Sequence, residues 1–467
     1  MDLGTQVMLY ILSKTVNVAS QKMGALGSIK VVERHHTWMP PRLVRVKLIR
    51  ARRDNRFRGP TATGKLMTQN NRRGFIRRCL GAGFGCSVAR GHTALAEALE
   101  EPKRLEVVTL EGSPSECGLT HGKTLKVAIH ALLKVWKADL AERYRMDADA
   151  FIKKFLERTN YLPAMKKWTP ELIEEIGGIA KGADVDFDTM LVFQLIDEYW
   201  VHGSSIAHEH CSSLGIRRRD DQPSVVAQNM DLEGFRDGFQ TVLHIKQAGS
   251  VLEQLVLTHA GLIGLNGMNN RSLGICCNTL NQLVPCADGL PVACVVRGVL
   301  QQENEEAALK FLRTVKHASG QNYVLGCPAK VYDLECSAGK VKSFAPNTWP
   351  EGVWHTNHPL CNDDYTPKHR ELIEKRASEN APDNSAARLQ SLRRHLTQDA
   401  QTCRLELIRS ALAATDSAQH PVCVPYRNKK DSFTFASTIM ILSDKPEFHV
   451  SPGPANVYPY QTHSFGR

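Results

Sequence analysis

One cysteine occupies an unusual place in the stretch IAHEHCSSLGI, residues 206–216. Cys211 stands between a polar, titratable segment and a short apolar run. Three interpretations suit a thiol in this setting: a buried core side chain, a zinc ligand, or a nucleophile that attacks a carbonyl carbon. The surrounding sequence has to decide among them.

The zinc interpretation would use His208, His210 and Cys211, with His355 and His358 of the HTNH motif as further ligands. Three ligands within four consecutive positions do not form a tetrahedron easily, because successive side chains on a strand point to opposite faces. The sequence also has no CxxC pair with the spacing of a metal finger. We therefore expect neither a bound metal nor a cofactor.

The nucleophile interpretation depends on a cut in the chain. Cleavage between His210 and Cys211 would make the cysteine the first residue of a new chain. Its free α-amine could then act as the general base for its own thiol. Such a site also needs a group that holds the amine and donors that stabilise the oxyanion of the tetrahedral intermediate.

The character of the sequence changes at this same position. Residues 104–118 predict a strand and a turn at Gly-Ser-Pro, and residues 118–200 have apolar side chains at helical spacing. From Cys211 onward, short strands with Gly and Asn turns predominate. A helix is predicted at ENEEAALKFLRTVKH, and two more within about 368–415. A helical segment is therefore followed by a strand-rich one that begins at Cys211.

The net charge of +11 belongs to the front of the chain. Residues 1–66 carry 13 basic and 3 acidic side chains, and residues 67–96 carry five arginines and no acid. Residues 97–467 have 41 basic and 45 acidic side chains, so the body of the protein is mildly acidic. This distribution argues against nucleic-acid binding.

The basic front end resembles a twin-arginine export signal. Arg72-Arg73 is followed by Gly-Phe-Ile-Arg, a weakly apolar run too short to span a bilayer, and the small-x-small pattern of residues 94–96. We expect translation to start at Met67, a signal peptide at 67–96, and an exported, periplasmic or extracellular protein without stable membrane insertion. Residues 1–66 would be a mis-assigned upstream frame or a disordered basic leader; a basic surface helix is the alternative.

Residues from about 105 to 456 resemble the penicillin acyltransferase family (acyl-CoA:6-aminopenicillanic acid acyltransferase and its relatives), cysteine N-terminal-nucleophile hydrolases. The similar motifs occur in order along the chain. They are LEGSPSECGLTHG, PELIEEIGGIAKGADVDFDTML, HCSSLGI, VAQNMDL, GLIGLNGMNNRSLGICCNTL, SGQNYVLG with VYDLE, HTNHP, and FASTIMIL with HVSPGP.

The resemblance implies an α+β fold, a four-layer αββα sandwich of two antiparallel sheets with outer helices. It also implies one catalytic domain made of two segments. Residues 97–210 would be the small chain and residues 211–467 the large chain, and the two would stay associated after the cut.

The resemblance assigns roles to four residues. Cys211 would be exposed by self-cleavage and would carry the acyl group as a thioester. Asp231 would bind the α-amine, and the side-chain amide of Asn322 would donate to the oxyanion. Arg370 would fix Asp231 or the surroundings of the amine.

Four further residues are candidates for the pocket. Asn266 and Asn269 follow a strand and would line the rim, and Asn229 lies next to the Asp231 motif. His355 is interpreted as part of a structural motif with possible substrate contact, because the base in this family is the amine. The sequence departs from the family at His210, where Gly is usual, and at the following Ser212, where Thr is usual.

The resemblance implies an enzyme that cleaves the amide bond of a small N-acyl compound through a Cys211 thioester. One alternative is an acyltransferase that moves an acyl group from a thioester donor to an amine. The other is an uncleaved, non-catalytic relative that only binds. The acyl group and the leaving amine are not specified by these residues.

Overall fold

A computed structural model describes residues 103–202, 211–346, 351–376, 383–397 and 404–466. The predicted leader at 1–66, the predicted signal at 67–96 and His210 lie outside these ranges. Among the described residues, no helix is both long enough and apolar enough to cross a membrane.

The first described segment contains one strand and seven helices. The strand is β1, Glu106–Gly112. The helices are α1 (Pro114–Thr124), α2 (Lys126–Tyr144), α3 (Ala148–Arg158), α4 (Leu162–Trp168), α5 (Pro170–Ala183), α6 (Phe187–Phe193) and α7 (Ile196–His202). The predicted turn at Gly-Ser-Pro is the start of α1, because Ser113 caps the helix and Glu116 bonds back to the Ser113 main-chain N–H. The predicted helical character of this segment is confirmed.

Helices α1 and α5 approach each other closely through glycines. A Cβ atom on Gly118 would lie 1.9 Å from the Glu175 carbonyl oxygen, and one on Gly178 would lie 2.3 Å from the Ser115 carbonyl oxygen. Only glycine permits this contact between two helix backbones. It fixes the position of Glu175, which bonds to the second segment of the chain.

The second segment supplies the remaining strands and helices. Its strands are β2 (Ser212–Ile216), β3 (Ser224–Glu233), β4 (Gln240–Gln247), β5 (Glu253–His259), β6 (Asn266–Asn269), β7 (Gly274–Thr279), β8 (Gln321–Gly326), β9 (Val331–Cys336), β10 (Val341–Phe344), β11 (Gly352–His355), β12 (Ser432–Leu442), β13 (Glu447–Ser451) and β14 (Gln461–Ser464). Its helices are α8 (Val292–Leu300), α9 (Glu305–Thr314), α10 (Pro367–Arg376), α11 (Asn384–Thr397) and α12 (Arg404–Leu412). Within the described part of 368–415, three helices are present where two were predicted.

The strands form two sheets. The eight-stranded sheet has the order β1-β4-β5-β6-β7-β8-β9-β10, and the six-stranded sheet has the order β11-β2-β3-β12-β13-β14. All neighbours are antiparallel except β1 and β4, which are parallel. Strand β1 of the first segment is therefore hydrogen-bonded into a sheet of the second.

The two sheets pack face to face, with β2 and β3 against β7, β8 and β9. Helix α8 packs outside the eight-stranded sheet on β6 and β7, and α11 and α12 pack outside the other sheet on β11 and β3. All ten residues of β3 are buried, as expected for a strand covered on both faces. The predicted αββα sandwich is confirmed.

Candidate active site

Cys211 lies directly before β2, at the first described position of the second segment. Its side chain is only 7% exposed. The Sγ atom lies 3.7 Å from Met230 Sδ and 3.8 Å from the carbonyl oxygen of Asp231, both on β3. The thiol is therefore held against the central strand of the sandwich.

The thiol faces a small cavity of about 30 Å³, which is room for roughly two water molecules. Its lining combines both segments of the chain. The first segment supplies Gln194, Ile196, Asp197 and Trp200, and the second supplies Cys211, Met230, Asp231, Leu232, Leu262, Gly264, Leu265, Cys277, Thr279, Val292 and Ala293. Most of the lining is apolar, so an acyl group suits it better than a charged one. Such a group can enter only if lining side chains move.

Two side chains hold the main chain of Cys211. Arg388 on α11 donates from Nη1 to the Cys211 carbonyl oxygen at 2.6 Å and to Ser212 Oγ at 2.9 Å. Asn278 on β7 donates from Nδ2 to the same Cys211 oxygen at 3.3 Å. Because Asn278 and Arg388 are fully buried, water does not compete for these bonds.

Asn357 joins this cluster from the loop after β11. Its Oδ1 accepts a bond of 2.9 Å from Nη2 of Arg388, and its Nδ2 donates to the Thr279 carbonyl oxygen at 3.1 Å. Its main-chain N–H donates to Ser385 Oγ at 2.7 Å. Asn357 thus links the helix that carries Arg388 to the strand that carries Asn278.

Sequence reasoning missed Asn278, Asn357 and Arg388 as site residues. Two of them carried a signal, because Asn278 lies in ICCNTL and Asn357 in HTNHP, both of which belong to the family-like motifs. Arg388 lies in a helix without such a motif. Which of the arginines on this helix is buried becomes visible only once the helix is packed.

Asp231 is placed on β3 and lines the cavity together with Cys211. Both of its carboxylate oxygens are buried, and neither accepts a hydrogen bond of good geometry from the described residues. Burial raises the pKa of Asp231 to about 8, which the nearby Thr434 hydroxyl and the positive charge of Arg388 only partly oppose. A buried carboxylate without a partner is a site for a cation or an N–H donor.

Asn322 is not the donor that the structure places at Cys211. It lies opposite Asn278 in the β7–β8 register, and therefore one strand further along the same sheet. Its Nδ2 donates to the Asp333 carboxylate on β9. Asn322 thus lies on the same face of the sheet as Asn278, and its role as an oxyanion donor stays a prediction.

Arg370 is likewise not brought to Asp231. It lies on α10 with an exposed side chain, whereas Asp231 is buried. Within the described ranges no ion pair joins the two, and the arginine whose charge acts on Asp231 is Arg388. The arginine that acts on Asp231 therefore lies one helix later in the sequence than the predicted one.

The three asparagines predicted for the pocket all bond elsewhere. Asn229 donates to the Leu412 and Val422 carbonyl oxygens, on the outer face of its sheet. Asn266 donates to Gln228 Oε1 at 2.7 Å, between the sheets. None of Asn229, Asn266 and Asn269 is among the residues that line the Cys211 cavity.

Two further predicted pocket residues, Asn269 and His355, also bond away from the cavity. Asn269 accepts from the main-chain N–H groups of Arg271 and Leu273 and donates to Leu300, so it shapes a turn. Predicted pocket residue His355 bonds to Glu335 instead of lining the cavity. Among the described residues, no group of three His, Cys, Asp or Glu side chains is arranged to hold a metal ion.

Comparisons with known proteins agree on one family. The family model described as acyl-coenzyme A:6-aminopenicillanic acid acyl-transferase matches residues 217–449, a span that contains Asp231, Asn278, Asn357 and Arg388. The 40 kDa form of acyl-coenzyme A:6-aminopenicillanic-acid-acyltransferase from Emericella nidulans is 26% identical over 257 residues, covering 55% of this chain and 70% of that protein.

Two similar solved structures have low overall superposition scores. An N-acylethanolamine-hydrolyzing acid amidase ortholog from Caenorhabditis elegans is 16% identical, with a TM-score of 0.35, covering 55% of this chain and 100% of its own. A variant of the conjugated bile acid hydrolase from Clostridium perfringens is 13% identical, with a TM-score of 0.36, covering 55% of this chain and 97% of its own.

Proposed function

We propose that this chain is an enzyme acting on C–N bonds with the Cys211 thiol as its nucleophile, as supported by its similarity to the acyl-coenzyme A:6-aminopenicillanic acid acyltransferase family over residues 217–449. The observation that carries this proposal is the surroundings of Cys211. Its thiol faces a cavity, its carbonyl oxygen is fixed by Asn278 and Arg388, and Asp231, whose carboxylate is buried, lines the same cavity.

The first chemical step is self-cleavage between His210 and Cys211. The thiol attacks the carbonyl carbon of His210, and the acyl group moves from nitrogen to sulfur. Water then hydrolyses the resulting thioester, which releases a carboxylate on His210 and a free α-amine on Cys211. The new amine can take the proton of the thiol in later turnovers.

Asp231 is the partner for this amine. Before cleavage the Cys211 nitrogen is a neutral amide, and the carboxylate of Asp231 is buried without a well-placed donor. After cleavage an ammonium group can pair with it, which favours the charged form of both groups. The site is therefore electrostatically incomplete until the cut is made.

The substrate reaction repeats the same chemistry on an N-acyl compound. The Cys211 thiolate attacks the amide carbonyl, the tetrahedral oxyanion collapses, and the amine leaves with a proton. The side-chain amides of Asn278 and Asn357 lie in the cluster around the Cys211 main chain. They are the candidates for oxyanion donors. Loss of one such donor typically costs about 10²–10³ in rate.

The two chains produced by the cut are expected to stay together. Glu175 on α5 and Arg297 on α8 form a bidentate, fully buried ion pair with two bonds of 2.8 Å. Strand β1 is also paired with β4 over seven residues. Both contacts join the first segment to the second and do not involve the bond that is cut.

Acyl transfer is the second candidate, and it is favoured by the name of the Emericella nidulans relative. In both reactions the acyl group is carried on Cys211 as a thioester. The outcome depends on whether water or an amine reaches that thioester first. A nucleophile competition assay, with added amine and a single N-acyl substrate, separates the two.

The test of the nucleophile is the intact mass of the purified protein with N-terminal sequencing of each chain. We expect two chains, the larger beginning Cys-Ser-Ser-Leu, and hydrolysis of N-acyl amides. Cys211→Ala should remain uncut and inactive. Cys117→Ala, which alters a buried thiol of α1 outside the cavity, is the matched control and should be cut as the wild type is.

An uncut wild-type chain without amidase activity would overturn this proposal. It would support a relative that only binds, or one in which His210 prevents maturation. A cut chain that accepts only thioester donors would instead favour the acyltransferase.

A further inference from the structure

Glu335 on β9 is a hydrogen-bond centre outside the cavity. Its buried carboxylate accepts from Nε2 of His355 at 2.8 Å. It also accepts from three consecutive main-chain N–H groups, those of Leu360, Cys361 and Asn362, at 2.5, 3.0 and 2.6 Å. One carboxylate thus fixes both ends of the loop 355–362.

His355 completes the pair as a cation. Its Nε2 faces Glu335 and its Nδ1 lies 2.7 Å from the Thr356 carbonyl oxygen, so both ring nitrogens face acceptors and both carry protons. Burial alone would lower the pKa of His355, but Asp333 and Glu335 raise it above its ordinary value. The same pairing lowers the pKa of Glu335 to about 2, against the effect of burial.

The charged groups that act on the His355 ring come from β9 in the part of the chain that the structure describes. Asp333 and Glu335 face it from β9, and His358 lies in its own loop. Arg388 of α11 acts on His358 from the opposite side. On β2 the register partner of His355 is Ser213, which does not titrate.

The loop that this pair fixes supports the nucleophile from two sides. It carries Asn357, which accepts from Arg388. Its carbonyl oxygens at His355 and Thr356 accept from Nδ2 of Asn278 at 3.2 and 3.3 Å. Both side chains that hold the Cys211 carbonyl are therefore held by this loop.

We propose that the Glu335–His355 ion pair is a positioning pair for the nucleophile, because it orders the loop 355–362 that holds Asn278 and Arg388 against Cys211. The pair does not line the cavity and touches no reacting atom. This inference rests on the proposed function. It adds the residues that determine the geometry of the site and the pH above which its activity falls.

The decisive variant is Glu335→Gln, which keeps the size of the side chain. It replaces an acceptor oxygen by an NH₂ group that faces N–H donors, so the loop loses at least one bond. We expect kcat to fall by about 10²-fold, since small misplacements of reacting groups have effects of this size. KM should change by less than about three-fold, because the change acts on the chemical step and not on binding.

The pH profile provides a readout that a purely structural role would not affect. Wild-type kcat should fall at alkaline pH as His355 loses its proton. In Glu335→Gln this limb should move to lower pH, because one of the two negative charges that face the ring is removed. In His355→Gln the fall of kcat that is caused by deprotonation of His355 should disappear.

Glu253→Gln is the matched control. Glu253 pairs with His244 at 2.6 Å between β5 and β4, and neither residue lines the cavity. It should leave kcat and the pH profile unchanged. If Glu335→Gln does not fold, the inference is still tested by comparing how kcat falls at alkaline pH in wild type and in His355→Gln.

The outcomes separate the inference from the proposed function. A cut and active wild type with an impaired, pH-shifted Glu335→Gln supports both. A cut and active wild type with a Glu335→Gln variant that behaves like Glu253→Gln overturns the inference alone. A wild type that is neither cut nor active overturns the proposed function and the inference with it.

Discussion

Arg388 combines two tasks that a lysine could not perform together. Its guanidinium reaches the Cys211 carbonyl oxygen and Ser212 Oγ through Nη1 and the Asn357 side chain through Nη2. A planar fork makes these bonds in fixed directions, whereas an ammonium group is a point charge on a flexible stem. The requirement at this position is therefore for geometry as well as charge.

Arg388→Lys is expected to reduce kcat by at least about 10²-fold while the protein remains folded. The charge is retained, so a loss of this size would report the lost orientation of Cys211. Arg393→Lys is the control, since Arg393 is exposed on the same helix. Steady-state kinetics on an N-acyl amide checks this, and equal kcat values for the two variants would remove Arg388 from the site.

The sequence could identify site residues only where a motif placed them. It indicated Cys211 and Asp231, which the structure brings to one cavity. The resemblance pointed to Asn322 as the amide donor, whereas the structure places its strand neighbour Asn278 against the Cys211 main chain. Which of two strand neighbours approaches Cys211 depends on how the second sheet lies over the first. That packing is not encoded in any local pattern.

At the level of helices and strands, the order of elements was predictable and their pairing was not. Helical spacing in the first segment and strand patterns in the second gave the correct classes of element. The insertion of β1 beside β4 joins residues more than a hundred positions apart, and no local signal specifies it. The same holds for the contact between α5 and α8 through Glu175 and Arg297.

The Glu175–Arg297 pair leads to a prediction for the cut enzyme. Glu175→Gln leaves a buried guanidinium without its charge partner, which typically costs about 3–5 kcal/mol. We expect urea to unfold this variant, or to separate its two chains on gel filtration, at a clearly lower concentration than wild type.

The control for that variant is Asp288→Asn, which breaks the exposed pair with Lys316. Exposed pairs typically contribute about 1 kcal/mol or less. If both variants unfolded at the same urea concentration, the buried pair would not be a link between the chains. The double variant Glu175→Met with Arg297→Met should recover much of the loss, since it removes both buried charges.

For the molecule as a whole, buried titratable groups determine how stability depends on pH. Burial raises the pKa of Asp231 and Asp333 to about 8 and about 7, and burial with the charge of Asp197 raises that of Glu198 to about 8. Burial also lowers the pKa of His121 to about 3 and of His317 to about 4.

The two sets of groups change stability in opposite directions as pH rises, over overlapping pH ranges. An acid with a raised pKa begins to destabilise the fold when pH exceeds its ordinary value of 3.8 or 4.5, and its cost is complete above its folded-state pKa. A histidine with a lowered pKa destabilises the fold as pH falls below 6.5. Between about pH 4.5 and 6.5 the two effects oppose each other and partly cancel. Above pH 6.5 only the acids act, so stability should fall more steeply up to about pH 8.

Self-cleavage should reduce the loss of stability that occurs as pH rises. The new α-amine would give the Asp231 carboxylate a cationic partner beside it, so the carboxylate would ionise at lower cost. Between about pH 6 and pH 9, uncut Cys211→Ala should lose up to about 2 kcal/mol more free energy of unfolding than cut wild type. Urea unfolding at the two pH values measures the difference, with Asp231→Asn added to Cys211→Ala as the variant that should abolish it. Equal losses in the cut and uncut proteins would mean that the amine does not pair with Asp231, and the general base would then have to be held by another group.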